Sequence, residues 1–232
     1  MTNQLSKTIL IGMPSGSGYI PTVMVQSLLQ LMKPLPCAFM TVERQRVDKA
    51  RNAIVTEALK NNFDYLFFVD DDNPIPPDTL QKFIEDDKDI VIAPILGRNP
   101  TPQGNYNLCA FYSEEETVDG KPLRLYYPIS KFRDEGFLHK IDAAGTGCML
   151  IKRAVLEKMT EKFLDGIFEF GDIKFETPVF IKGQEFKRRT MSEDCEFSER
   201  AIDLGFEIWL DERIRPTHIS GTKSVQWGGQ NG

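Results

Sequence analysis

Cysteine is scarce and scattered: Cys37, Cys109, Cys148 and Cys195 are the only four in 232 residues. No two stand as a C-x-x-C pair, which argues against a zinc knuckle and a redox dithiol. Free thiols of this kind fit a reducing compartment, so a cytoplasmic protein is expected. Positive charge is also in short supply, with 28 Lys and Arg against 34 Asp and Glu and a net charge of -6. That balance excludes a general nucleic-acid binder, whose affinity rests on clustered cations, although an acidic chain can still hold a nucleotide locally. Long apolar runs are missing too. The longest, such as Ile90-Val91-Ile92-Ala93-Pro94-Ile95-Leu96, contains a proline and is strand-sized, so no transmembrane segment is expected. The stretch from Met1 to Lys7 is polar and runs directly into a strand, which is not the layout of a signal peptide.

The chain does have enough apolar content, 41% of its residues, for one domain with a substantial core. Its first hundred residues alternate strand and helix in the α/β manner. Thr8-Ile9-Leu10-Ile11-Gly12 reads as a strand and Met13 to Gly18 as a flexible loop. A helix should follow from about Pro21, with Val23, Val25, Leu28, Leu29 and Met32 packed on a sheet. The loop, with Pro14 and Ser15, can approach phosphate or ribose closely, although it matches neither the dinucleotide fingerprint nor the P-loop. Cys37 to Val42 reads as a second strand, and Val47, Ala50, Ile54 and Ala58 recur at helical spacing through Asn61. Thr79 to Glu85 is a short helix capped by Asp78, and Asp89 to Leu96 a further buried strand.

The most informative stretch is Tyr65-Leu66-Phe67-Phe68-Val69 followed at once by Asp70-Asp71-Asp72 and then by Asn73-Pro74-Ile75-Pro76-Pro77. The apolar run is a buried strand, and the prolines end it because they lack ladder donors. The three carboxylates therefore stand at a strand's C-terminal end, the edge where open α/β sheets bind ligands. Alternation along an extended backbone points Asp70 and Asp72 the same way and Asp71 elsewhere. Two parallel hard oxygen ligands make half a site for Mn²⁺ or Mg²⁺, with phosphate oxygens of a nucleotide diphosphate completing the shell. A solvated acidic turn is the plainer alternative. Three adjacent like charges would nevertheless raise one another's pKa without a cation or a basic partner.

Arg44, Arg46, Lys49 and Arg51 crowd the start of the second helix, where cations oppose the helix dipole and invite an anion. Surface pairing with Glu43, Asp48 and Glu57 is the alternative. Arg51 is singled out because the aspartate strand follows directly and should lie next in the sheet. From Arg98 to Gly136, prolines, glycines and the run Glu114-Glu115-Glu116 suggest hairpins beside the sheet. Tyr106, Phe111, Tyr112, Tyr126 and Tyr127 could there stack on a sugar or simply pack. Ala143-Ala144-Gly145-Thr146-Gly147 precedes the apolar strand Cys148 to Ile151, and Lys152 begins the next helix. Its small residues allow close approach of a ligand or another backbone, or mark a bulge. Ser192 caps a helix whose first turn carries Glu193 and Asp194 at its exposed start, and Gly205 stops it. Phe206 to Leu210 is a strand, followed by a loop holding His218. A surface position is the plainer reading for that histidine, but its neutral imidazole can add a nitrogen to a carboxylate site for Mn²⁺.

Taken in order, strand-Asp70-Asp71-Asp72, Gly145-Thr146-Gly147-Cys148-Met149-Leu150-Ile151, Ser192-Glu193-Asp194 with Phe197 and Arg200, and His218 resemble glycosyltransferases of the GT-A type, similar to family 2. The resemblance spans most of the chain. It implies a single Rossmann-like domain with a mixed, mainly parallel sheet, divided into a nucleotide-binding half (1–97) and an acceptor-binding half with a tail (98–232). It also implies a nucleotide-diphosphate sugar as donor and a divalent metal. Asp70 and Asp72 match the family's D-x-D positions, the first near the ribose and the second on metal and diphosphate. Glu193-Asp194 matches the acidic pair that supplies the base, and His218 falls where some members place a metal ligand. Pro14, Ser15, Arg51, Asp71, Gly145, Thr146 and Gly147 complete the donor-binding set. The family often has an aspartate for the nucleobase after the second strand, where this chain offers only Glu43 or Asp48. The expected reaction is transfer to a hydroxyl of a carbohydrate, lipid-linked or protein acceptor, with Asp194 as base, Glu193 orienting the acceptor, and inversion at the anomeric carbon. A nucleotidyltransferase and a non-catalytic nucleotide-sugar binding module are the alternatives. The Gly-rich tail from Ser224 could serve as a lid carrying Trp227, or be a loose terminus.

Overall fold

A computed structural model describes residues 7–118, 121–181, 184–220 and 223–226 of the chain. The first half alternates regularly: β1 (Ile9–Ser15), α1 (Thr22–Gln30), β2 (Cys37–Glu43), α2 (Val47–Lys60), β3 (Tyr65–Val69), α3 (Thr79–Asp86) and β4 (Ile90–Ile92). A run of short strands follows, comprising β5 (Leu96–Pro100), β6 (Tyr106–Leu108), β7 (Ala110–Val118), β8 (Lys121–Pro128), β9 (Leu138–Ile141) and β10 (Ala143–Ala144). Then come β11 (Cys148–Lys152), α4 (Arg153–Lys162), β12 (Gly171–Ile181), β13 (Gln184–Met191), α5 (Glu193–Asp203), β14 (Ile208–Asp211), β15 (Thr217–Ser220) and β16 (Lys223–Gln226).

Seven of these strands form one mixed sheet in the order β2-β1-β3-β11-β4-β14-β9. β1 runs parallel to β2 and β3, whereas β11 lies antiparallel between β3 and β4. The strand that carries the aspartates therefore pairs with β1 and β11 and not with β2, correcting the expected neighbour of the Arg51 segment. β3 is apolar throughout because it is covered on both faces. Alternation then sorts its side chains. Leu66 and Phe68 enter a core shared with α2, α4 and α5 through Ile54, Val155, Met159 and Phe197. Tyr65, Phe67 and Val69 enter the opposite core, shared with α1 and α3 through Met24, Leu80 and Phe83. The result is a helix-sheet-helix sandwich around strands drawn from both halves of the sequence.

Two expectations fail at the edges of this sandwich. On α1 the buried stripe is Met24 and Ser27, with Leu31 just beyond the helix, while Val23, Val25, Leu29 and Met32 are exposed. The helix carries two apolar stripes, and the one containing a serine wins. Ser27 Oγ donates to Ile75 O (2.9 Å) and accepts from Ile75 N–H (2.8 Å), which ties that face to the segment after β3. Asp78 stands at the start of α3 without capping a backbone amide; its carboxylate pairs instead with Lys82 at 2.7 Å. The hairpin β7–β8 fulfils the expectation for the irregular stretch, and Gly205, at φ +87°, ends α5 as expected. No helix among the described residues is long and apolar enough to cross a membrane.

Candidate functional site

β3 and β11 end together at one edge of the sheet, and their last pairing sets the site. Asp70 N–H donates to Gly147 O at 3.0 Å, which extends the ladder by one residue. The chain then turns: Asn73 N–H donates to Asp70 O at 3.2 Å, closing a β-turn over Asp70 to Asn73. Asp70 and Asp72 do face a common cavity, as expected, but a turn and not an extended backbone brings them there. That cavity measures about 200 Å³ and is also lined by Asn73, Thr146, Asp194 and His218. Asp71 points to a neighbouring cavity of about 210 Å³, lined with Pro14, Ser15 and Gln45, to which Asp70 also contributes. There Ser15 Oγ donates to Asp71 Oδ2 at 2.6 Å. Asp70 thus stands on the wall between the two spaces.

His218 is buried, 5% exposed, and not in a surface loop. β15 lies along the segment after β3, with Thr217 N–H donating to Pro74 O and Ile219 N–H to Asp72 O, both at 2.8 Å. This pairing carries the histidine inward. Nδ1 is 2.5 Å from Leu96 O. A carbonyl oxygen can only accept, so Nδ1 carries the proton and Nε2 is the atom turned toward Asp72 Oδ2, 3.4 Å away. The nonlocal strand contact that buries this residue left no periodic signal in its own neighbourhood.

Arg51 lies under the site and lines neither cavity. It is 3% exposed, with Nη2 donating to Asp70 Oδ1 (3.1 Å) and Oδ2 (3.3 Å), and Nη1 forming an ion pair with Glu193. Burial opposes its charge, but Asp70, Glu193 and Asp194 overcome that and raise its pKa. Crowding by protein raises the pKa of Asp70, Asp72 and Asp194 add to the effect, and Arg51 opposes it. Glu193 is likewise raised, first by burial, against the pull of Arg51. Glu193 is 6% exposed, so the start of α5 is not an open acidic turn as expected. The guanidinium bridges α2, β3 and α5, and its two Nη groups face carboxylates instead of the cavity.

Asp194 is the member of that acidic pair that reaches the cavity. Its Oδ1 accepts from Cys195 N–H at 2.8 Å and from the Ser192 hydroxyl, which fixes the carboxylate at the helix start. Oδ2 lies toward Gly145, 3.5 Å from where a Cβ on that glycine would stand. Gly147 admits no side chain: a Cβ there would be 2.5 Å from Asn73 Nδ2 and 3.0 Å from Asp70 Oδ2. Small residues in the Gly145-Thr146-Gly147 segment therefore let two acidic walls approach each other.

Asn73 was visible in the sequence only as the residue that opens the proline segment, and its place on the cavity wall was missed. The tyrosines and Phe111 offered for sugar stacking do not line this cavity among the described residues. Tyr126 Oη instead donates to Glu199 Oε2 at 3.2 Å, and Tyr112 lies against Arg133. Asp48, one of the two candidates for the nucleobase, is buried and bound to Arg46, whereas Glu43 is exposed beside Gly18. Trp227 falls outside the described residues. All four cysteines are free thiols, and burial pushes Cys195 up to about 12.

Residues 37–123 match the family model Anp1. No curated protein matches the chain. Among solved structures, A197 from STIV is similar with a TM-score of 0.54 and 15% identity, over 96% of this chain and 95% of that one. S. aureus TarS 1–349, in complex with UDP-GlcNAc, gives a TM-score of 0.44 and 14% identity, over 94% of this chain and 57% of that one. Neither the family match nor the fold singles out family 2.

Proposed function

We propose that this chain is a glycosyltransferase of the GT-A type that moves a sugar from a nucleotide-diphosphate donor to an acceptor hydroxyl with inversion, a reading supported by the Anp1 match over residues 37–123 and by the fold. One observation carries the reading: Asp194 faces Asp70 and Asp72 across a single cavity at the C-terminal end of β3. One wall suits a base for the acceptor and the other a diphosphate with its cation.

Among the described residues, no three His, Cys, Asp or Glu side chains form a metal-holding group by themselves. The donor set still fits Mn²⁺ or Mg²⁺, because Asp72 Oδ2 and His218 Nε2 converge beside Asp70, an oxygen and nitrogen pair suited to those ions. The Nδ1–H bond to Leu96 O holds the ring so that Nε2 faces that position. Asp72 and His218 would be the protein ligands, with Asp70 beside them on Arg51 and with diphosphate and water supplying the rest. When bound there, the cation supplies neutralisation of the negative charge that develops on the departing diphosphate.

The protein's own residues then divide the work. Ser15, Pro14 and Asp71 border the second cavity, which suits the nucleoside. Arg51 acts as a positioning residue: it fixes Asp70 and Glu193 from below. Asp194 takes the proton from the acceptor hydroxyl through Oδ2, with Oδ1 held by Ser192 and the Cys195 amide. Attack from the side opposite the leaving group inverts the anomeric centre.

The test is Asp194→Asn, assayed with a panel of nucleotide sugars and Mn²⁺ for released nucleoside diphosphate. Transfer should fall about 10²- to 10⁴-fold, the range for loss of a general base, while donor binding in a thermal-shift assay persists. Wild-type turnover by Asp194→Asn would remove the assignment. Stripping divalent cations with a chelator should abolish both the donor-induced thermal shift and transfer. A shift that survives would show that the donor is held without a metal.

A further inference from the structure

Two polar groups on the wall of the Asp194 cavity have no assigned partner in the proposed reaction, and one of them, Thr146, is an expected donor-binding residue. Asn73, 2% exposed, comes from the turn after β3, and Thr146, 1% exposed, from the segment entering β11. Asn73 Oδ1 and Thr146 Oγ1 are both buried and have no hydrogen-bond partner among the described residues. Native folds seldom leave a buried acceptor or hydroxyl unanswered, because its desolvation is then uncompensated. Two of them on one cavity of about 200 Å³ is a pattern that calls for a ligand.

Neither group is loosely placed. The Asn73 backbone is fixed by its amide bond to Asp70 O, and its side-chain amide packs directly over Gly147. Thr146 lies between two glycines whose carbonyl and amide are committed to Asp70 N–H and Cys109 O. Ile95 and Leu96, 7% and 8% exposed, give the same cavity an apolar side. A sugar ring has this character: hydroxyls around its rim and C–H groups on its faces.

We infer that Asn73 and Thr146 are specificity-determining residues that read hydroxyls of the donor sugar. Asn73 Oδ1 accepts from one sugar hydroxyl and Thr146 Oγ1 bonds to another, while Ile95 and Leu96 pack against the ring. This rests on the nucleotide-sugar reading above and assigns its sugar subsite. A site built to bond a hydroxyl discriminates strongly against a sugar that lacks it, because the protein group is then left buried and unpaired.

Thr146→Val gives the sharpest test, since it removes the hydroxyl at nearly constant volume. In the free protein it deletes an unanswered polar atom, so its melting temperature should rise by about 2 °C. Affinity for the preferred nucleotide sugar should fall about tenfold, while affinity for the matching nucleoside diphosphate stays at the wild-type value. Asn73→Ala should lower kcat/KM about 10- to 100-fold with the intact sugar and have no effect with the deoxy analogue lacking the hydroxyl it reads. An equal loss for every analogue, or a lower melting temperature for Thr146→Val with unchanged sugar affinity, would make these groups structural and overturn the inference. So would unchanged sugar affinity in both variants, which is the result expected if a trapped water satisfies the two atoms. Wild-type protein that binds no nucleotide sugar at all would instead sink the parent reading, and this one with it.

Discussion

Arg51 and Arg213 each stand between two carboxylates, one beneath the candidate site and one away from it. Arg51 is buried, 3% exposed, and holds Asp70 and Glu193, of which Asp70 still lines both cavities. Arg213 is 30% exposed, and its partners Asp86 and Asp211 are the buried members, at 4% and 0%. Each cluster sets one guanidinium between two carboxylates, and the layouts differ in which member is most deeply buried. Where the cation is inside, a carboxylate is left facing a cavity and can meet a ligand. Where the carboxylates are inside, they face each other, and one of them retains a proton more readily. Burial first, then the Asp211 charge, raises Asp86 to about 6 in spite of Arg213.

The largest effect should come from breaking the buried cation. Arg51→Met leaves Asp70 and Glu193 facing each other at the meeting point of α2, β3 and α5, and removing one partner of a buried pair costs about 3–5 kcal/mol. Urea denaturation at neutral pH measures it. A loss below about 1 kcal/mol would show that the guanidinium does not hold these elements together, and the contrast with Arg213 would dissolve.

A smaller effect, with a pH signature, is expected at the second cluster. A carboxyl with a folded-state pKa of about 6 and an unfolded value of 3.8 binds its proton more tightly in the native protein. Native stability therefore falls as pH rises from about 4 to about 6, and levels off above that. Asp86→Asn keeps the neutral form throughout. It should remove that fall and gain about 2 kcal/mol at pH 7 over the parent, an order-of-magnitude figure for a shift of this size. Stability curves that run parallel at pH 4.5 and pH 7 would refute the assignment.

The difference between the clusters also explains what could be read from the sequence. β3 and the acidic triplet are local: an apolar pentapeptide, three aspartates and a proline segment lie within thirteen consecutive residues, and the strand appears over Tyr65–Val69 as expected. The bounds of α5 are equally local, with Ser192 before it and Gly205 after it, although the Ser192 hydroxyl bonds to Asp194 and caps no backbone amide. Partnerships are not. Arg51 and Glu193 are 142 residues apart, and nothing near either one announces the other. Arg51 therefore looked like a donor-binding residue, and Glu193 looked exposed. His218 was misplaced for the same reason, since its burial depends on β15 meeting the segment Asp72 to Pro74. On α1, two apolar stripes satisfied the same helical period, and only a serine bonded to Ile75 decides which one is buried.

The smallest effect tests whether an exposed cation matters at all in such a cluster. Arg213 donates to Asp86 at 2.6 Å and to Asp211 at 2.7 Å, and its guanidinium lies 3.8 Å from the centre of the Phe137 ring. Geometry of that quality would suggest a strong anchor. Partial exposure argues otherwise. The guanidinium is 30% exposed and so partly screened. Asp86, already raised to about 6, can take up a proton when the cation is lost, which leaves a contribution of about 1 kcal/mol. Arg213→Ala should cost about that much at pH 7 and less in 1 M salt, whereas the Arg51→Met loss should hardly change with salt. The substitution also removes the Arg213 charge that opposes proton retention by Asp86, so the fall in stability near pH 4 to 6 should extend to higher pH. A salt-independent loss as large as that of Arg51→Met would mean that layout, cation inside or cation outside, does not set the strength of these clusters.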